Sequence, residues 1–168
     1  MQLTQRRLSF LGSLPNDAPG THTTLKLMAG LVRQFKRDPM IRDTAISLVA
    51  GLRPKDWSGE ARRLYEYVRD QIRYTRDVSR VETLQTPPVT MELEAGDCDD
   101  KSTLLAALLE SVGHPTRFVA TGYRAPQSFS HVYVETLLGT KWIPLDATTN
   151  KPFGWVPRTP VSRMVVFN

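Results

Sequence analysis

One cysteine, Cys98, sits in the run Gly96-Asp97-Cys98-Asp99-Asp100 and is the only thiol of the chain. A thiolate attacks amide and ester carbonyls, and a helix N-terminus favours the anion through its unpaired N–H groups and the positive end of its dipole. The residues that follow supply such a helix. Asp97 is suited to cap it, Asp99 and Asp100 fall in its first turn, and Leu104, Leu105, Leu108, Leu109 and Val112 form an apolar face that ends at Gly113. The three aspartates oppose a thiolate electrostatically unless they point outward or pair with cations such as Lys101, so the chemistry requires a compensating cation, which a nearby imidazolium would supply.

Three histidines are available. His22 lies in a leading segment where exposure is expected, and His114 sits in the turn Gly113-His114-Pro115. His131 belongs to the alternating run Phe129-Ser130-His131-Val132-Tyr133-Val134-Glu135, whose period of two reads as a strand. Downstream, Gly139-Thr140 has glycine at the first central position of a two-residue turn, as a type II′ hairpin requires. Leu138 then faces Lys141, Tyr133 faces Asp146, and His131 faces Thr148. His131 and Asp146 become diagonal neighbours on one face, about 7–8 Å apart at Cα and within reach of a side-chain hydrogen bond. A slip of one residue would send Asp146 to the opposite face. Asp146 in this register would orient the imidazole, the third member of a nucleophile, base and orienter set.

The three blocks together, Gly96-Asp97-Cys98-Asp99-Asp100, His131-Val132-Tyr133-Val134-Glu135 and Trp142-Ile143-Pro144-Leu145-Asp146-Ala147-Thr148, resemble the transglutaminase-like superfamily in their order Cys, His, Asp. The resemblance spans roughly residues 60–150 and is greatest to small bacterial and phage-borne members. It implies a papain-like α+β core, with Cys98 on a central helix packed against a sheet that bears His131 and Asp146. It also implies a cysteine-dependent peptidase, amidase or acyl transferase that passes through a thioester. Relatives carry basic residues ahead of the glycine, where this chain has Glu94-Ala95. An oxyanion hole would combine the Cys98 backbone N–H with a donor from the preceding loop, for which Gln85 and Tyr74 are the candidates.

The elements that must position these groups follow from periodicity. Residues 1–20, rich in Gly, Pro, Asn and Asp, read as an extended arm, and 21–168 as a single domain made of a helical extension (21–55) and a core (56–168). Thr21 to Thr24 offer caps for a helix bearing Leu25, Met28, Leu31, Val32 and Phe35. A second helix is expected over Met40–Leu52 and a third from Ser58, with Leu64, Tyr65, Val68 and Ile72 as its stripe. Thr75–Ala95, with Pro87-Pro88, reads as a long surface loop. Beyond Pro115 come four strand-like runs, 118–120, 129–137, 142–145 and 161–167, an antiparallel sheet. Helices first and sheet second make an α+β class.

A length of 168 residues suits one domain with one active centre, and 40% apolar with 23% charged residues suits a globular chain. No run approaches the length of a membrane span and no signal peptide is evident, which points to a cytoplasmic product, in keeping with a lone thiol. The net charge of +5 divides unevenly: residues 1–80 hold 15 basic and 8 acidic side chains, and residues 81–168 hold 7 and 9. The basic residues sit at scattered helical positions, which reads as a solvated surface rather than a nucleic-acid site. Adjacent aspartates in one helical turn with one cysteine make a poor zinc or calcium site, and no cofactor or metal is expected. The expected partner is a protein or peptide substrate. A rival reading is a non-catalytic component of a phage particle, virion-associated through the arm, the basic first half and a tail, Val161 to Phe167, able to pair with a partner strand.

Overall fold

A computed structural model describes residues 10–12, 17–76 and 82–168. Three helices open the fold: α1 (Ala18–Phe35), α2 (Pro39–Val49) and α3 (Trp57–Gln71). Each is capped by an aspartate. The side chains of Asp17, Asp38 and Asp56 accept from the Gly20, Met40 and Gly59 amides, and Pro lies in the first turn of α1 and α2. Helix α1 therefore starts ahead of the expected Thr21–Thr24 caps, because Asp17 with Pro19 makes the stronger start signal. Most of the expected arm lies outside the described residues. Within it, Phe10–Gly12 form β1, which pairs antiparallel with β3 (Glu82–Leu84).

The stretch expected to be a surface loop contains a helix instead. Pro87 and Pro88 occupy the first positions of α4 (Pro87–Leu93), where proline's missing N–H costs nothing, and Pro87 to Thr90 are buried. Two short parallel strands, β2 (Arg73–Tyr74) and β4 (Ala95–Gly96), then join the end of α3 to the approach of α5 (Cys98–Ser111).

Helix α5 is the central element. Asp100 to Leu109 are all buried, so it is covered on every side rather than on one stripe. Helices α1 to α4 pack around it, and one further side meets the sheet, where Phe118, Ala120, Val132 and Val134 are buried in the same core. Each buried leucine of α5 contributes about 1.5–3 kcal/mol of apolar burial. That makes α5 a rigid stem for the residues at its N-terminus.

The sheet comprises β5 (Thr116–Gly122), β6 (His131–Leu138), β7 (Lys141–Leu145) and β8 (Ser162–Phe167), all antiparallel in the order β7-β6-β5-β8. The β6–β7 ladder runs from Leu138↔Lys141 to Val134↔Leu145, the register the sequence implied. Gly139 has φ +61, while Thr140 stays out of the left-handed region, as a II′ turn requires. None of the described helices is long and apolar enough to cross a membrane.

Candidate active site

Cys98 opens α5. Asp97 accepts from the Asp99 and Asp100 amides at 2.9 and 3.1 Å, and Asp100 Oδ2 accepts from the Asp97 amide at 3.3 Å, a reciprocal capping box. Asp100 Oδ1 also accepts the Gln85 backbone amide at 2.8 Å. Two of the three aspartates are thus used to build the turn that carries the thiol. Gly96 is required by the same turn: a Cβ there would lie 2.6 Å from Asp100 Cβ and 3.2 Å from a Thr90 methyl.

The half-buried thiol donates to Asp99 Oδ1 at 3.5 Å. Its pKa is pushed well above the ordinary value, first by burial and then by the charges of Asp99 and Asp97, while a bond from the Val132 backbone amide works in the opposite sense. That amide belongs to the peptide joining His131 to Val132, so the sulfur sits against the start of β6. Ser102, one turn along α5, donates to the Val132 carbonyl at 3.3 Å and fixes the same juxtaposition.

Lys101 is not the compensating cation. It is 2% exposed, and its Nζ turns away to donate to the Ile72 carbonyl and, at 3.5 Å, to the Arg69 carbonyl, at the C-terminal end of α3. Burial lowers its pKa to about 8, with Asp146 and Asp70 acting in the opposite direction.

His131 and Asp146 are brought together. The His131 Nε2 to Asp146 Oδ2 distance is 2.8 Å, and Asp146 is buried beside the partly exposed imidazole. The other oxygen, Oδ1, accepts from the Thr148 amide at 3.1 Å and the Thr148 hydroxyl at 2.7 Å. Burial alone would raise the Asp146 carboxyl, but the bond and charge of His131 and the two Thr148 bonds outweigh it and hold the group below the usual carboxylate range. With Nε2 engaged, the ring offers Nδ1 for a second proton partner.

Two residues outside the expected set support this pair. Thr148 locks the carboxylate, and the Asp-x-Thr spacing that permits such a local turn was the available signal. The Tyr65 hydroxyl of α3 lies 2.9 Å from the Lys151 carbonyl and 3.3 Å from the Asp146 carbonyl, pinning the segment after β7. Periodicity marked Tyr65 only as a core position.

Of the two expected oxyanion candidates, Tyr74 interacts with the thiol through space and Gln85 joins the turn that carries it. Tyr74, paired with Gly96 through β2 and β4, is 43% exposed and lies within electrostatic reach of Cys98 and Asp97. Gln85 is tied by its backbone to Asp100, and its side-chain Oε1 is buried with no hydrogen-bond partner. The remaining histidines lie elsewhere: His22 is exposed on α1, and His114 bonds Glu60 at 2.9 Å. Trp142 lies at the far end of β7 under the Arg117 guanidinium, 4.2 Å from its ring centre, and Tyr133 is buried. Ligand atoms of Asp97, Cys98 and Asp99 lie within 4.8 Å of one another, but Asp97 is already committed to capping.

A family model described as "Transglutaminase-like superfamily" matches residues 42–147, well over half of the chain. Among solved structures, a candidate protease from Parabacteroides distasonis aligns with a TM-score of 0.60 at 12% identity, covering 83% of this chain and 28% of its own. A candidate cysteine protease from Cytophaga hutchinsonii aligns with a TM-score of 0.54 at 14% identity, covering 80% of this chain and 60% of its own. The chain thus spans less than two thirds of either protein, and likeness at this identity is one of fold. No curated protein sequence matches it.

Proposed function

Because the chain belongs to the transglutaminase-like superfamily, we propose that it is a cysteine-dependent peptidase, amidase or acyl transferase acting through Cys98, His131 and Asp146. The observation that carries this reading is the 2.8 Å His131–Asp146 bond, on a carboxylate locked by Thr148, one peptide away from the amide that bonds the Cys98 sulfur.

The chemistry begins from a protonated thiol, since burial and two aspartates hold its pKa up. Substrate binding brings a carbonyl carbon to Sγ. The proton passes to His131 Nδ1 as the S–C bond forms and the carbonyl π electrons move to oxygen. The oxyanion is met by the Cys98 backbone N–H with Gln85 or Tyr74. Collapse breaks the C–N bond, the leaving amine takes the proton from His131, and a thioester remains. Water then regenerates the thiol by the reverse sequence, whereas a lysine amine in its place gives a cross-link. Asp146 holds the ring and stabilises its charged form throughout.

Incubation with fluorescent casein and dansylcadaverine reads both outcomes, peptide release for hydrolysis and amine incorporation for transfer. One of the two signals is expected in the native protein, lost in Cys98→Ala and in His131→Ala. A signal that neither substitution changes would contradict the assignment. The alternative of a non-catalytic particle component draws its support from the arm, the basic half and the tail of the sequence.

A further inference from the structure

Next to Thr148, the last turn of α3 and the segment after β7 line an open cavity of about 430 Å³ whose lining includes Arg69, Asp70, Arg73, Tyr74, Lys101 and Thr148. Two of these residues also belong to the catalytic surroundings. Tyr74 lies within electrostatic reach of Cys98, and Thr148 holds the carboxylate that bonds His131. The cavity therefore shares two residues with the surroundings of the catalytic groups.

The charge of the lining is unbalanced. Arg69 and Asp70 satisfy each other through two bonds of 2.6 and 2.7 Å. Arg73 and Lys101 remain. Arg73 projects from β2 as an exposed guanidinium. Lys101 meets the carbonyls at the end of α3, which use two of its three protons; Asp146 and Asp70 act on it through space, but among the described residues no carboxylate is within salt-bridge distance of it. Such a site lowers the energy of an anion, and a guanidinium fork at its mouth matches a carboxylate in particular.

We propose that this cavity is a substrate subsite that receives the carboxylate of an acidic residue adjacent to the bond under attack. The inference rests on the cysteine-nucleophile reading and adds its substrate class. A glutamate side chain would pair with Arg73, and the charge of the buried Lys101 would add to the attraction. Glutamine, of the same shape, would lack the charge, and lysine would be repelled by two cations.

Peptidyl vinyl sulfones test this without a known substrate. The Cys98 sulfur adds to the alkene carbon β to the sulfone, the α carbon takes the thiol proton, and the labelled protein is counted by mass. Three probes carry Glu, Gln or Lys beside the electrophile. The Glu probe is expected to label Cys98 at least tenfold faster than the Gln probe, with the advantage shrinking in high salt. Arg73→Glu, on an exposed side chain, is expected to bring the Lys probe ahead of the Glu probe. Equal rates for all three probes, or a Glu preference that Arg73→Glu leaves intact, would overturn the subsite. If those rates still collapse in His131→Ala, the nucleophile assignment survives the loss of the subsite. Labelling by every probe that His131→Ala leaves unchanged would remove both.

Discussion

At the scale of single residues, Cys98 is held between opposing influences. Its helix N-terminus and the Val132 amide favour the thiolate, while burial, Asp99 and Asp97 oppose it, and the second group prevails. Asp97 is needed for the cap, but Asp99 adds charge directly at the sulfur, 3.5 Å away. Asp99→Asn is therefore expected to speed alkylation of Cys98 at pH 7 by about 3–10-fold by removing a charge that opposes the thiolate, measured as the rate of iodoacetamide labelling. Asp146 gives a different expectation. Its folded pKa lies below the unfolded value of about 3.9, so its contribution to stability is complete above that value and is lost as the pH falls through the folded one. Asp146→Asn should reduce turnover by about 10²–10⁴-fold while shifting thermal unfolding at pH 7 by only a few degrees, since the Thr148 bonds to Oδ1 survive. Equal loss of both would mark Asp146 as structural. Thr148→Val, which removes the 2.7 Å hydroxyl bond, should lower kcat about tenfold with KM unchanged, and Thr148→Ser should restore it.

At the scale of elements, the buried Lys101 links α5 to the end of α3. Its pKa of about 8 lies below the usual lysine value, so the unfolded chain binds more protons between about pH 8 and 10.5, and stability rises with pH across that window. The full effect is roughly 3 kcal/mol. Urea unfolding from pH 7.5 to 9.5 should show this rise in the native protein and a flatter profile in Lys101→Met. The elements also show what was legible beforehand. The buried stripes of α1 and α3, the capping of α5 by Asp97, and the hairpin register that places His131 beside Asp146 follow from periods and turn chemistry that act locally. Lys101 was misread because its partners are backbone carbonyls of another helix, which leave no trace in its own neighbourhood of the sequence. The α4 segment was misread because Pro87-Pro88 stops a helix from continuing but starts one equally well. Thr148 and Tyr65 went unmarked for a third reason: their contacts are a few hydrogen bonds made by residues that also fit ordinary turn and core roles.

At the scale of the whole molecule, the catalytic geometry depends on parts outside the family-matched segment. Residues 42–147 leave out α1, which supplies Leu25, Met28, Val32 and Phe35 to the core around α5, and β8, which pairs with β5 along its length. A chain cut to residues 42–147 is expected to lose cooperative unfolding in urea, whereas a fragment that unfolds as sharply as the full chain would show α1 and β8 to be dispensable. The helices and the sheet hold α5 from opposite sides, so the sulfur at its N-terminus and the imidazole at the start of β6 keep their relation only in the complete fold. That relation is the central claim, and the pH profile of Cys98 alkylation by iodoacetamide tests it most directly. With the thiol held protonated by burial and the two aspartates, labelling at pH 6–7 is expected to depend on proton removal by His131 and to fall at least tenfold in His131→Ala; labelling indifferent to His131→Ala across this range would contradict it.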